Sequence, residues 1–204
     1  MSLKYGFDIS EHKEHIFSKQ AAWDALMNSK FKDFIILRAG FGVSGEEDSC
    51  FIDFYHRAKD NGIKDISAYW FMYGETPTEA EKEAYNFIRI IDKYGVELNT
   101  MILDFEDNNK WQSHGICLSP NYVNTMIQSF LNVLLKEGLN SALYSSQWII
   151  QDSLDWVFIK NNSIGVWNAR YGGEDEVKAW MWQYTDNEYI PNTDWGPLDA
   201  NIRY

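Results

Sequence analysis

Cysteine is scarce in this chain of 204 residues, and basic residues are outnumbered by acidic ones. Its two cysteines, Cys50 and Cys117, cannot build a disulfide framework, and neither belongs to a cluster with metal-ligand spacing. The 18 Lys and Arg against 30 Asp and Glu give a net charge of −12. This charge argues against a nucleic-acid partner, because phosphates are bound by basic surfaces. No apolar run reaches the roughly 18 residues of a transmembrane helix, so we expect no membrane insertion.

Motifs for several common chemistries are also missing. The sequence contains neither G-x-x-x-x-G-K nor G-x-G-x-x-G, which excludes a glycine-rich phosphate loop. No serine lies in a nucleophile elbow, and no Cys–His pair is evident. None of the four histidines lies at a predicted strand end. We therefore expect neither a cofactor nor a bound metal.

Aromatic residues, in contrast, are abundant. They make up 16% of the chain and include nine Trp and twelve Tyr. Many Trp and Tyr suggest a surface that stacks on partly apolar ligands such as sugars, although packing in the core is the commoner fate of any one of them. The length suits one large domain, and no linker or repeat divides it, so we expect residues 1–204 to form a single domain.

The stretch from Met101 to Asp107 is the most informative one. Three apolar residues run directly into a segment with three acids. Because side chains alternate along a strand, Asp104 and Glu106 are predicted to share one face, and Leu103 and Phe105 the other. Two carboxyl groups on one face oppose each other's ionisation. Taken alone, the stretch is equally consistent with an acidic turn and with a reactive site.

Strands and helices alternate over the first two thirds of the chain, and the last third is predicted to be mostly strands. Alternation of this kind predicts a parallel sheet with right-handed crossovers, and about eight strands in one domain favour closure into a barrel. The active site of such a barrel lies at the carboxyl ends of its strands. The polar and aromatic residues at the predicted strand ends are Asp8, Arg38, Tyr69, Tyr73, Asp104, Glu106, Tyr144, Trp167, Gln183 and Asp199.

Four converging acids among aromatic residues favour glycoside hydrolysis. That reaction needs one carboxyl group that keeps its proton, to protonate the leaving oxygen, and at least one ionised carboxylate. Acids that lie close together provide one protonated and one ionised group, because the negative charge of one carboxylate raises the pKa of its neighbour. Carboxylates that hold Mg²⁺ or Ca²⁺ remain an alternative at this point.

The same residues resemble the glycoside hydrolase family 25 muramidases, which are lysozymes of bacteria, phages and some fungi. The likeness extends over nearly the whole chain and consists of short motifs in the family's order. These motifs are Gly6-Phe7-Asp8-Ile9-Ser10, Leu37-Arg38-Ala39-Gly40, Tyr69, Leu103-Asp104-Phe105-Glu106, Leu143-Tyr144-Ser145, Val166 to Tyr171, Trp182-Gln183-Tyr184 and Leu198 to Asn201.

The resemblance implies an irregular, flattened β/α barrel of the TIM type, with eight strands and about five helices. It also implies hydrolysis of the β-1,4 bond between N-acetylmuramic acid and N-acetylglucosamine in peptidoglycan. By the same resemblance, Glu106 is the general acid/base and Asp104 is the second carboxylate. Asp104 either orients the acetamido group of the sugar or stabilises positive charge at the anomeric carbon. Asp8 and Asp199 are expected to line the floor of the site.

The resemblance further implies a sugar-binding groove. The residues expected to line it are Arg38, Tyr69, Tyr73, Tyr144, Trp167 and Gln183. In the third strand the chain departs from the family, with Ser67-Ala68-Tyr69-Trp70-Phe71 where a glycine and a polar pair are usual. We expect Trp70 to narrow the groove or change its subsite preference.

Two other readings stay open on sequence alone. One is a barrel that binds cell-wall glycan without cutting it, and the other is a carboxylate–metal phosphodiesterase. For the muramidase reading, the expected partner is the glycan strand of peptidoglycan, and the protein is expected to act as a monomer. We expect it to act outside the cell or at the bacterial wall, although Met1 to Lys4 do not resemble a signal peptide.

Overall fold

Eight strands close into a barrel in the computed structural model, which describes residues 2–204. The strands of the sheet are β1 (Lys4–Ile9), β2 (Phe34–Phe41), β3 (Glu46–Glu47), β4 (Ile66–Phe71), β5 (Met101–Asp104), β6 (Ser141–Ser146), β7 (Gly165–Ala169), β8 (Met181–Glu188) and β9 (Leu198–Arg203). Neighbouring strands are parallel from β1 through β2 and β4 to β8, whereas β9 runs antiparallel to both β8 and β1. The two-residue strand β3 pairs only with β2 and lies outside the closed barrel. The predicted eight-stranded barrel is therefore confirmed.

Within the described residues 2–204, eight α-helices surround the barrel, three more than the sequence predicted. Four of them have at most seven residues, which is less than two full turns and too short for an apolar period to repeat. None of the helices within residues 2–204 has the length and apolar character needed to cross a bilayer. The helices are α1 (Glu14–Phe17), α2 (Gln20–Met27), α3 (Phe51–Asp60), α4 (Pro77–Tyr94), α5 (Asn109–Ser113), α6 (Pro120–Lys136), α7 (Gln147–Ser153) and α8 (Trp156–Asn161).

Strand alternation divides the apolar residues into two layers. One layer lies between the barrel and the helices and contains Leu103 and Phe105, both fully buried. The other fills the inside of the barrel and includes Ile102. The shared face predicted for Leu103 and Phe105 is therefore confirmed. The buried members of the inner layer are Phe34, Ile36, Ile102, Ala142, Tyr144, Trp167 and Met181.

A buried acid joins α4 to the end of β4. The Glu83 carboxylate accepts a hydrogen bond from the Trp70 indole N–H at 2.6 Å and one from the Tyr73 backbone N–H at 3.1 Å. Burial is the main cause that raises the pKa of Glu83, from its ordinary value of 4.5 to about 7. The Glu83 carboxylate therefore holds the segment that follows β4, and it places a titratable group in the core.

We expect Glu83→Gln to flatten the pH dependence of stability. A raised pKa in the folded state contributes stability that is complete below about pH 4.5 and is lost as the pH rises through about 7. Across that interval, the free energy of unfolding of the wild type should fall relative to the variant by up to about 3 kcal/mol. Urea unfolding at a series of pH values measures this difference. Glu81→Gln, on the exposed side of α4, is the control. Parallel pH profiles for the wild type and Glu83→Gln would contradict the assignment.

Candidate active site

The carboxyl ends of the parallel strands surround a cavity of about 290 Å³. It contains all four predicted acids and five of the seven residues that we expected to bind substrate. We call it the four-acid cavity. Its lining residues are Asp8, Ser10, His12, Lys13, Arg38, Tyr69, Phe71, Asp104, Glu106, Tyr144, Trp167, Tyr171, Gln183 and Asp199.

The four acids lie at two depths. Asp8 and Asp104 form the floor, with 7% and 5% of their surface exposed. Glu106 and Asp199 are half-buried and reach the open side of the cavity. Asp8 and Asp199 are register partners on β1 and β9, and Asp104 ends β5. Glu106 follows two residues later and on the same face. The closed barrel thus brings together acids that are far apart in the sequence.

Hydrogen bonds hold the Asp8 carboxylate in place. Its Oδ2 accepts from the Gln183 amide at 2.9 Å and from the Asn201 amide at 2.8 Å. The Gln183 carbonyl in turn accepts from the hydroxyls of Tyr144 at 2.8 Å and Tyr171 at 2.6 Å. These partners fix both the position of the carboxylate and the orientation of the amide that binds it.

Burial raises the pKa of every acid in the cavity. It is the largest cause for Asp8 and Asp104, whose pKa values lie well above the usual range, and the charges of Asp199 and Glu106 respectively raise them further. Burial is also the largest cause that raises the pKa of Glu106, although hydrogen bonds with Tyr144 and Asp104 partly lower it. Burial likewise raises the pKa of Asp199, although the positive charge of Lys13 partly lowers it. The Asp104–Glu106 pair therefore keeps a proton at pH values where an exposed carboxyl group has lost it.

Arg38 lines the cavity, but its charge is already paired. Its Nε donates to Asp48 at 2.7 Å and its Nη2 donates to Glu11 at 2.8 Å. The Asp48 side chain is completely buried and also accepts from the backbone N–H of Cys50. Arg38 therefore connects three segments at the edge of the cavity. Its contact with substrate remains a prediction.

Two residues of the predicted groove lie elsewhere. The prediction for Trp70 is wrong, because alternation along β4 places Tyr69 inside the barrel and turns the fully buried Trp70 outward onto Glu83. Tyr73 does not line the four-acid cavity either. It follows the end of β4 and packs edge-on against Phe71, with the ring centroids 4.9 Å apart. Only Phe71 of that pair reaches the four-acid cavity.

The structure also brings to the site residues to which the sequence analysis gave no role there. Asn201 contacts Asp8 and shares the inner face of β9 with Asp199, so strand alternation alone would have found it. Tyr171 lies beyond the end of β7 in a segment without regular structure, where no period gives a signal. Lys13 belongs to a short 3₁₀ helix after β1 and donates to the Pro197 carbonyl at 2.7 Å. Ser10, His12 and Phe71 complete the set.

Metal ligation has no ready site in the part of the chain that the structure describes. Within residues 2–204, the acids, histidines and cysteines form no group of three arranged to hold a metal ion. The cavity offers carboxyl groups that differ in depth and in pKa, together with aromatic and amide side chains. Such a set can deliver a proton to a bound sugar and carry a negative charge beside it.

Solved structures with the same fold include several cell-wall enzymes. The modular autolysin LytC from Streptococcus pneumoniae is 25% identical, with a TM-score of 0.80, and the match covers 99% of this chain but 47% of LytC. The chain therefore spans about half the length of that relative. A family 25 glycosyl hydrolase from Bacillus anthracis is 20% identical, with 98% and 88% of the two chains covered and a TM-score of 0.78. The bacterial lysozyme from Streptomyces coelicolor is 19% identical, with 98% and 92% covered and a TM-score of 0.73.

Sequence comparison gives the family directly. A search of curated proteins found no match. The sequence model of Glycosyl hydrolases family 25, in contrast, matches residues 7–193, which is most of the chain and includes three of the four acids of the cavity. The resemblance found in the motifs is thereby confirmed, and the chain belongs to the glycosyl hydrolases of family 25.

Proposed function

We propose that this protein is a muramidase that hydrolyses the β-1,4 bond between N-acetylmuramic acid and N-acetylglucosamine in peptidoglycan. The observation that carries the proposal is the position of Glu106. This acid is half-buried, its pKa is raised, and it lies beside the buried Asp104 at the four-acid cavity. Its relative LytC has been solved in complex with a synthetic peptidoglycan ligand. We further propose that the protein acts as a monomer with a single catalytic domain.

Glu106 is the proton donor in this proposal. It is the member of the Asp104–Glu106 pair that reaches the open side of the cavity. Its proton passes to the glycosidic oxygen as the bond from that oxygen to the anomeric carbon breaks, and positive charge develops on the sugar. The resulting Glu106 carboxylate then activates the water that completes hydrolysis.

The proposed role of Asp104 is to orient the acetamido group of the sugar. Its environment favours the neutral acid, and a neutral acid gives little electrostatic stabilisation to a positive charge. One of its oxygens, Oδ1, is buried and has no hydrogen-bond partner, so the group retains unused bonding capacity. Asp199 is more exposed and lies near Lys13, which suits it to carry the negative charge beside the sugar.

Aromatic side chains form the walls of the proposed sugar site. Tyr144 and Trp167 meet edge-on with their ring centroids 4.4 Å apart, and Tyr69 meets Trp167 at 6.5 Å. Only 7% of Tyr144 and 2% of Trp167 is exposed. These rings therefore shape the cavity but contribute little of the surface that a ligand can contact. Gln183 contributes by holding Asp8, and Arg38 by holding the segments around it.

The net charge of −12 does not attract the protein to an anionic wall. Binding at the bacterial wall, where we propose that the protein acts, therefore depends on contacts inside the groove.

The loss of turbidity of a bacterial wall suspension, measured with and without chelator, tests the proposed function against its alternatives. Clearing that persists in chelator supports the muramidase, and clearing that chelator abolishes supports a metal-dependent phosphodiesterase. Tight binding without clearing supports a glycan-binding barrel.

The Glu106→Gln variant should lose at least ~10²-fold in the rate of wall clearing, the scale typical of acid–base catalysis. The amide keeps the shape of the side chain but cannot donate the proton. Thermal unfolding should show that the fold is retained. Glu97→Gln is the matched control, because this exposed acid lines a different cavity and none of the active-site groove. Full activity in Glu106→Gln would refute the assignment.

The Asp199→Asn variant should shift the alkaline limb of the kcat profile to lower pH. The negative charge of Asp199 is one of the causes that raise the pKa of Glu106, so its removal makes Glu106 easier to ionise. The protonated donor is then lost at a lower pH than in the wild type. Initial rates at saturating substrate across a pH series measure the shift. A limb that stays in place or moves to higher pH would contradict the proposed coupling.

A further inference from the structure

A groove continues from the four-acid cavity across the ends of β6 and β7. Its first part has a volume of about 330 Å³ and shares Glu106, Tyr144 and Tyr171 with the four-acid cavity. Its second part has a volume of about 510 Å³ and shares Trp148 and Tyr171 with the first. A ligand bound at Glu106 can therefore extend along one continuous path.

Two accessible aromatic side chains border this path. Trp148 is 45% exposed and Tyr171 is 44% exposed, unlike the buried rings inside the barrel. The floor is formed by Ser146 and Ala169, which are register partners at the ends of β6 and β7. The buried hydroxyl oxygen of Ser146 has no hydrogen-bond partner. Exposed aromatic surface beside an unused polar group is typical of a ligand site.

Both sides of the groove are held by one buried amide. The Asn168 Nδ2 donates to Gln147 Oε1 at 3.2 Å, at the start of α7, and to Asp175 Oδ1 at 2.8 Å. Asp175 also accepts from the Ala179 backbone at 2.9 Å, which fixes the segment after β7. Tyr171 is tied through its hydroxyl to Gln183. The site is thus organised before a ligand binds, which lowers the entropic cost of binding.

The charged residues of the groove give no advantage to an anionic ligand, because Glu106 and Asp107 line its first part. Its far end carries one residue of each sign, Arg170 and Glu176. Gln151 donates to Glu176 at 3.3 Å. A charged peptide gains no net attraction from this pair, whereas a sugar ring can place an apolar face on an aromatic ring and its hydroxyls against the polar edges.

We propose that Trp148 and Tyr171 form an additional binding site for a sugar ring of the glycan strand, beyond the bond that is cleaved. The ring stacks on the Trp148 indole, and Ser146 and Gln151 bind its polar groups. This inference rests on the proposed function and specifies how the enzyme binds a long strand. It makes longer strands better substrates than short ones.

The experiment uses glycan strands separated by length, one set freed of stem peptides and one set that keeps them. For Trp148→Ala, the ratio of kcat/KM for long strands to kcat/KM for short strands should fall roughly three- to tenfold, the range expected for loss of one aromatic contact. The fall should come from KM, and Trp148→Phe should restore part of it. Tyr85→Ala is the control, since Tyr85 is 54% exposed on α4 and lines none of the three cavities.

Three results would overturn the proposal. They are an unchanged ratio in Trp148→Ala, an equal loss on long and short strands, and a loss confined to strands that keep their stem peptides, which would indicate a peptide site. A binding measurement distinguishes failure of this proposal from failure of the proposed function on which it rests. The Glu106→Gln variant should bind long peptide-free strands more tightly than Glu106→Gln/Trp148→Ala does. Absence of cleavage by the wild type would refute the muramidase function but not this binding site.

Discussion

The active end of this barrel depends on the cost of burying carboxyl groups. Four acids share one cavity, and burial raises the pKa of each of them. The protein limits that cost by retaining protons and by hydrogen bonds, and it leaves only Glu106 and Asp199 within reach of solvent. The same constraint separates the acids into a floor, where ionisation is most costly, and an accessible pair. Within that pair we assign the proton donor to Glu106 and the negative charge to Asp199, which are the two roles that glycoside hydrolysis requires.

Much of the surrounding structure serves to hold polar groups that would otherwise be unpaired. Gln183 and Asn201 bind Asp8, and the tyrosine hydroxyls fix the orientation of Gln183. Asn168 connects the two sides of the outer groove. On the outside of the barrel, Glu83 ties α4 to the segment after β4. Gln183 and Asn201 connect the last two strands to the first strand, at the other end of the chain. Asn168 and Glu83 connect segments that are nearer in sequence, so the barrel positions all of these groups and they in turn stabilise its loops.

Strand alternation explains what could be predicted from the sequence. From residue 103 to residue 106, apolar and acidic residues alternate, and the shared face of Asp104 and Glu106 followed from that pattern. In β4 the face of Tyr69 differs from that of Trp70 only by one small polar residue, Ser67, and both faces carry large aromatic rings. This contrast was too weak to show that Tyr69 points inward and Trp70 outward. Helices of fewer than two turns, such as α5 and α7, carry no period. Tyr171 lies in irregular chain and depends on tertiary contacts that no local pattern encodes.

The central claim is that this cavity cleaves the glycan strand on the reducing side of N-acetylmuramic acid. The most direct measurement is the identity of the new reducing ends after purified peptidoglycan is digested. Reduction with borohydride followed by mass spectrometry marks the sugar at each new end. The account predicts that N-acetylmuramic acid is the reduced sugar at nearly all new ends. Reduced N-acetylglucosamine at those ends, or release of peptides without new reducing ends, would contradict it.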